Sequence, residues 1–136
     1  MTVKHIERLE SREYLRRYLE VAPLALAVFR AIEAKNIAEV KMERPILDVG
    51  CGFGEFAGVF FKSKVEMGLD ISWKELVSAK KTNKYKKLVW VDARELPFGD
   101  NYFRTVLSVS VLEHIKDVGD VVSEIYRVLV PGGKLI

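Results

Sequence analysis

Short apolar runs alternate with helical patterns from residue 45 onward. That order predicts an α/β domain built on a parallel sheet with helices on both faces. Two further features agree with it. Glycine or aspartate follows the end of successive runs, at Asp48 and Gly50, Asp70, and Asp92. In open parallel sheets ligands bind outside the carboxyl ends of the strands, so those positions are the first place to look for function.

Residues 1–40 read as a helical cap in two pieces. Ile6, Leu9, Tyr14, Leu15, Tyr18 and Leu19 fall near helical spacing in the first. Pro23 suits the first turn of the second, with Leu24, Ala27, Val28, Ala31 and Ile32 as its apolar positions. The core follows over 45–136. Pro45 opens strand one, Ile46–Val49, which ends at the glycines, and a short helix runs from Glu55 to Lys62 on a face of Phe56, Val59 and Phe60. Strand two is Val65–Ile71. Ser72 and Glu75 then stand at capping-box spacing and start a helix. Strand three is Leu88–Val91 and strand four Thr105–Ser110, after a loop with Pro97 and Gly99. Asp117 starts a helix that turns Val118, Val121, Val122, Ile125, Val128 and Leu129 inward. Pro131-Gly132-Gly133 stops it, and Lys134 begins strand five.

At 136 residues and 49% apolar, the chain is one domain able to bury a core without staples. Its longest apolar stretch, Val21 to Phe29, is about half of what a membrane span needs. The charged start does not read as a secretory signal. One cysteine forms no internal disulfide and, with two scattered histidines, offers no metal ligand set. A cytoplasmic setting is the expectation. The net charge of +3 owes much to "KKTNKYKK", Lys80 to Lys87. A nucleic-acid contact there, with Tyr85 stacking on a base, ranks below a solvated helix end whose cations suit the dipole.

The loop after strand one carries the strongest chemical signal. Dinucleotide sites place glycines first, third and sixth; counting from Gly50, the sixth position is Glu55 and the third glycine is Gly54, one place early. A diphosphate there would face a carboxylate, at a cost of roughly 1 to 4 kcal/mol for like charges about 4 Å apart. A ligand without phosphate removes the conflict and lets Glu55 stabilise its own helix start. Asp70 stands where an acid grips ribose hydroxyls, and Asp92 can accept from an exocyclic amine. The ligand so described is an adenosine whose 5′ substituent carries little negative charge.

The stretches "LDVGCGFGEF", "GLDIS", "VDARELPF", "VLSVSVLEHI" and "EIYRVLVPGGKL" match in order and spacing the motifs of class I S-adenosylmethionine-dependent methyltransferases. Over residues 45–136 the chain resembles the branch acting on small molecules, quinones and lipids. The resemblance implies a Rossmann-like, doubly wound sheet of order 3-2-1-4-5, and S-adenosyl-L-methionine as cofactor. It gives Asp48, Gly50, Cys51 and Gly52 to the aminocarboxypropyl tail. Asp70 takes the ribose, Ile71 packs on the adenine, and Asp92 and the Ala93 amide meet its edge. Ser108 to Ser110 lie beside the amino acid portion and the sulfonium. The family continues past strand five with a helix and two strands, one antiparallel, for which this sequence has no counterpart; self-association, or a longer chain of which this is a fragment, would cover the edge.

The implied partner is a small-molecule methyl acceptor; a binding module without activity, or an RNA or protein methyltransferase, are the rival readings. A hydroxyl or protonated amine acceptor would need a base, and His114 is the candidate, against a loop-fixing imidazole or Glu113. Cys51 reads as a small residue between glycines. Tyr14, Tyr18 and Trp73 read as core or cover before they read as pocket, and Arg94 and Arg104 as surface charges.

Overall fold

A computed structural model describes residues 9–136; Ile6, expected on the first helix, lies outside them. Five strands form one sheet of order β3-β2-β1-β4-β5, with every neighbouring pair parallel. The strands are β1 (Ile46–Val49), β2 (Val65–Asp70), β3 (Tyr85–Trp90), β4 (Phe103–Leu107) and β5 (Leu129–Leu135). The helices are α1 (Ser11–Leu19), α2 (Leu24–Ala38), α3 (Glu55–Phe60), α4 (Trp73–Lys81) and α5 (Val118–Val128), with a single 3-10 turn at Leu112–His114. The expected class and strand order both hold.

β1 shows why the sheet needs helices on both sides. Ile46 belongs to an apolar cluster with Tyr14, Tyr18, Phe60 and Val65, whereas Leu47 and Val49 join Leu69, Val106, Val121 and Ile125. Successive side chains point to opposite faces, so a central strand apolar throughout must be covered twice. The cap covers the first side. Tyr14 and Tyr18 of α1 are fully buried, and Arg17 donates to the Val59 carbonyl of α3 at 3.0 Å.

Several boundaries differ from the sequence reading. β3 starts at Tyr85, not Leu88, because the Tyr85 ring packs where a Cβ on Gly68 would stand, 2.7 Å from it. Only Lys80 and Lys81 therefore end a helix; Lys84 donates to the Phe61 carbonyl and Lys86 pairs with Glu66. β4 ends at Leu107, and the chain turns through Ser110 at a φ of 56°. Leu129, expected on α5, opens β5 opposite Phe103, and the register shifts before Lys134 pairs with Thr105. The "PGG" segment thus lies within an irregular strand instead of preceding one. Pro23 sits just before α2, in an extended conformation, one place earlier than expected.

The buried face is narrower than the apolar set in two helices. α5 buries Val121, Ile125 and Val128, but Val118 and Val122 are exposed. α2 buries Ala27, Ala31 and Ala34 and leaves Leu24, Val28, Phe29 and Ile32 outside. Small residues facing α1 leave room for its two tyrosines, which are buried in the same cluster. No helix among the described residues is long and apolar enough to cross a membrane.

Candidate functional site

The loop after β1 is closed on itself. Gly50 and Cys51 both donate their amides to the Leu69 carbonyl at 2.9 Å, and Gly54 donates to the Cys51 carbonyl at 3.0 Å. Gly52 donates to Asp70 Oδ2 at 2.9 Å, while Asp70 Oδ1 accepts from the Ser72 amide at 2.8 Å. Asp70 thus joins the loop to the start of α4, and its oxygens retain lone pairs for a ligand. Glycine is required at position 50: its φ is 71°, and a Cβ there would lie 2.5 Å from Val111 Cγ1.

Two cavities meet over this loop at Gly50, Ser110 and Val111. The larger, about 440 Å³, is lined by Asp70, Ile71, Asp92, Ala93, Arg94 and His114 among others. The smaller, about 160 Å³, is faced by Asp48, Cys51, Gly52 and Glu55, and by Tyr18 and Arg30 from the cap. Nine of the ten residues expected to hold a ligand therefore line one or both cavities. Ser108 lines neither; its hydroxyl donates to the Val49 carbonyl and its amide to that of Ile136, which ties the sheet together.

The carboxylates differ in state. Burial raises the Asp48 carboxyl to about 6, opposed by the Tyr85 hydroxyl that donates to it at 2.7 Å. Asp92 is held below its ordinary range by Arg94, whose guanidinium reaches Oδ2 at 2.6 Å. Burial, then the charges of Asp48 and Asp70, push the Cys51 thiol upward, which disfavours a nucleophilic thiolate. His114 stands on the rim with 77% of its side chain exposed, and its Nε2 is 3.9 Å from Glu113.

Sequence reasoning looked to the cap for specificity but did not single out Arg30 or Glu33. Arg30 donates to Glu33 at 2.7 Å and to the Ser110 hydroxyl at 2.9 Å, and that hydroxyl donates to Glu33 at 3.2 Å. Tyr18 reads correctly as core, yet its buried hydroxyl has no partner and it also lines the smaller cavity. The available signal was a charged Arg30 within an otherwise apolar helical run. Arg94 is not the plain surface charge expected, since it lines the larger cavity. Arg104 is exposed and reaches Glu43 at 3.5 Å. Trp73 is exposed edge-on to Trp90 and lines neither cavity. No cluster of metal-ligating side chains occurs among the described residues.

A family profile described as a methyltransferase domain matches residues 47–136. The chain belongs to this family. The match bears out the resemblance to class I S-adenosylmethionine-dependent methyltransferases. The chain is 35% identical to a ubiquinone/menaquinone biosynthesis C-methyltransferase of Desulfotalea psychrophila over 67% of its own length and 39% of that protein's. It is 32% identical to a demethylmenaquinone methyltransferase of Chlorobaculum tepidum, over 97% of this chain and 62% of the relative. The crystal structure of an S-adenosylmethionine-dependent methyltransferase from Mesorhizobium loti superposes with a TM-score of 0.55 at 29% identity, over 66% of this chain and 44% of that one. The chain thus spans about two fifths of the Desulfotalea relative and under two thirds of the Chlorobaculum one.

Proposed function

We propose that this chain binds S-adenosyl-L-methionine and transfers its methyl group to a small-molecule acceptor. The observation that carries the reading is the state of the glycine loop. The amides of Gly50, Cys51, Gly52 and Gly54 are all spent on Leu69, Asp70 and Cys51, so they offer no nest for a diphosphate. The walls suit the family's cofactor instead. Asp70 and Asp92 offer carboxylate acceptors to a ribose diol and an adenine amine. In the smaller cavity, Arg30 and the unpartnered Tyr18 hydroxyl stand opposite Asp48 and Glu55, a pairing of charges that fits the zwitterionic tail.

When bound, the cofactor supplies a methyl group already activated by its sulfonium. The chain's residues then have to hold and orient. Asp70 fixes the glycine loop through Gly52, and Val111 packs against Gly50 at the junction of the cavities. The Arg30–Glu33–Ser110 network ties the cap to the loop after β4 beside that junction. Orientation of this kind supplies roughly 7 to 11 kcal/mol in well-positioned systems. His114 is the proposed base for an acceptor that must lose a proton. The exposed Phe53 beside the smaller cavity, and the outward apolar face of α2, favour an apolar acceptor. The outer edge of β5 has no strand partner among the described residues.

Calorimetry with S-adenosylmethionine, S-adenosylhomocysteine and NAD tests the premise; retention of NAD with neither adenosyl ligand bound overturns it. A labelled-methyl assay over quinone, lipid and phenol acceptors then separates an enzyme from a binding module. His114→Ala should abolish turnover while leaving S-adenosylhomocysteine affinity within about twofold. Unchanged turnover removes His114 as the base.

A further inference from the structure

Asp92 is already engaged. Arg94 donates its amide to Asp92 Oδ1 at 2.9 Å and its Nε to both oxygens at 3.1 Å, and its terminal nitrogen meets Oδ2 at 2.6 Å. The other terminal nitrogen lies 3.6 Å from Asp117, the residue just before α5. All three side chains line the larger cavity. The guanidinium therefore spans the cavity's mouth from the loop after β3 to α5, and its planar fork covers the carboxylate an adenine amine would need. About half of it is exposed to solvent, so the pair is cheap to open but is not free.

From this geometry we infer that Arg94 sets the purine specificity of the pocket: it competes with a 6-amino group for Asp92 and offers its own donors to a 6-oxo group. The inference rests on the cofactor reading above. A bare Asp92 accepts from an amine and repels a carbonyl oxygen. With Arg94 across it, the same place presents donors, so the native chain distinguishes the two purines less sharply than the carboxylate alone would.

The test is a titration of the native chain, Arg94→Ala and Arg94→Lys with S-adenosylhomocysteine and with its deaminated analogue, S-inosylhomocysteine. Arg94→Ala should bind the adenosyl ligand about 3- to 10-fold more tightly and the inosyl ligand more weakly, which widens their ratio by about tenfold or more. Arg94→Lys keeps the charge without the fork and should fall between. Added salt should tighten adenosyl binding to the native chain and leave Arg94→Ala unmoved. An unchanged ratio, or weaker adenosyl binding by Arg94→Ala, overturns the inference and leaves the cofactor reading intact. Failure of all three proteins to bind either ligand overturns both. Urea unfolding of each variant confirms that the comparison is between folded proteins.

Discussion

Asp48 and Tyr18 are two buried polar groups, the first met by one side-chain donor, the Tyr85 hydroxyl, and the second by no partner. Asp48 titrates at about 6, up from 3.8, and burial is the main cause. A carboxyl raised on folding contributes stability that is fully present below about 3.8 and lost as pH rises through about 6. Asp48→Asn lacks this dependence while still accepting from Tyr85. The stability of the native chain relative to Asp48→Asn should therefore fall by about 3 kcal/mol in all from well below pH 3.8 to well above pH 6, read by urea unfolding. A flat difference would place the titration elsewhere. Tyr18 makes the complementary case, because its hydroxyl is buried without a partner. Tyr18→Phe should stabilise the ligand-free chain by about 1 kcal/mol and weaken S-adenosylhomocysteine binding several-fold. Weaker stability with unchanged binding would assign the hydroxyl to packing alone.

At the scale of elements, Asp48, Gly50 and Asp70 stand at or just past strand ends, whereas Arg30 and Glu33 come from the middle of α2 and Tyr18 from the last turn of α1. α4 begins at Ser72, whose hydroxyl accepts from the Glu75 amide at 3.3 Å, beside the Asp70 carboxylate that accepts from Ser72 itself. The long bond places this cap at the weak end of its class. Ser72→Ala should cost about 0.5 to 1 kcal/mol in thermal or urea unfolding, with ligand affinity little changed because Asp70 binds the Ser72 backbone. A large loss of affinity would show that the hydroxyl helps to set the loop. α3 starts differently: Gly54 adopts a φ of 82°, and no side chain caps it, so Glu55 in the first turn supplies the charge that this end favours.

Across the whole molecule, the cap and the sheet bury one cluster together, and the smaller cavity lies on their boundary. A ligand that bridges Arg30 and Tyr18 of the cap to Asp48 of β1 binds only the folded arrangement. Saturating S-adenosylhomocysteine, at about 100 times its Kd, should add about 2.7 kcal/mol to global unfolding. That gain should appear in cap and core alike by hydrogen exchange. Protection confined to 45–136 would separate the cap from the site.

The sequence by itself determined the α/β class, the sheet-end carboxylates Asp48, Asp70 and Asp92, and the glycine turn at Gly50. Those features follow from short-range pattern: apolar runs set the strands, and each strand's end is marked by the next few residues. Tertiary structure alone decided what faces them. α2 is apolar on nearly all sides, so periodicity could announce a helix without choosing its inner face. Packing against Tyr14 and Tyr18 chose the alanines, turned Leu24, Val28 and Ile32 outward, and brought Arg30 to Ser110, eighty positions away. The Arg94–Asp92 pair was only two residues apart and still escaped notice, because whether neighbouring charges face solvent or a shared cavity depends on α5 arriving from far along the chain.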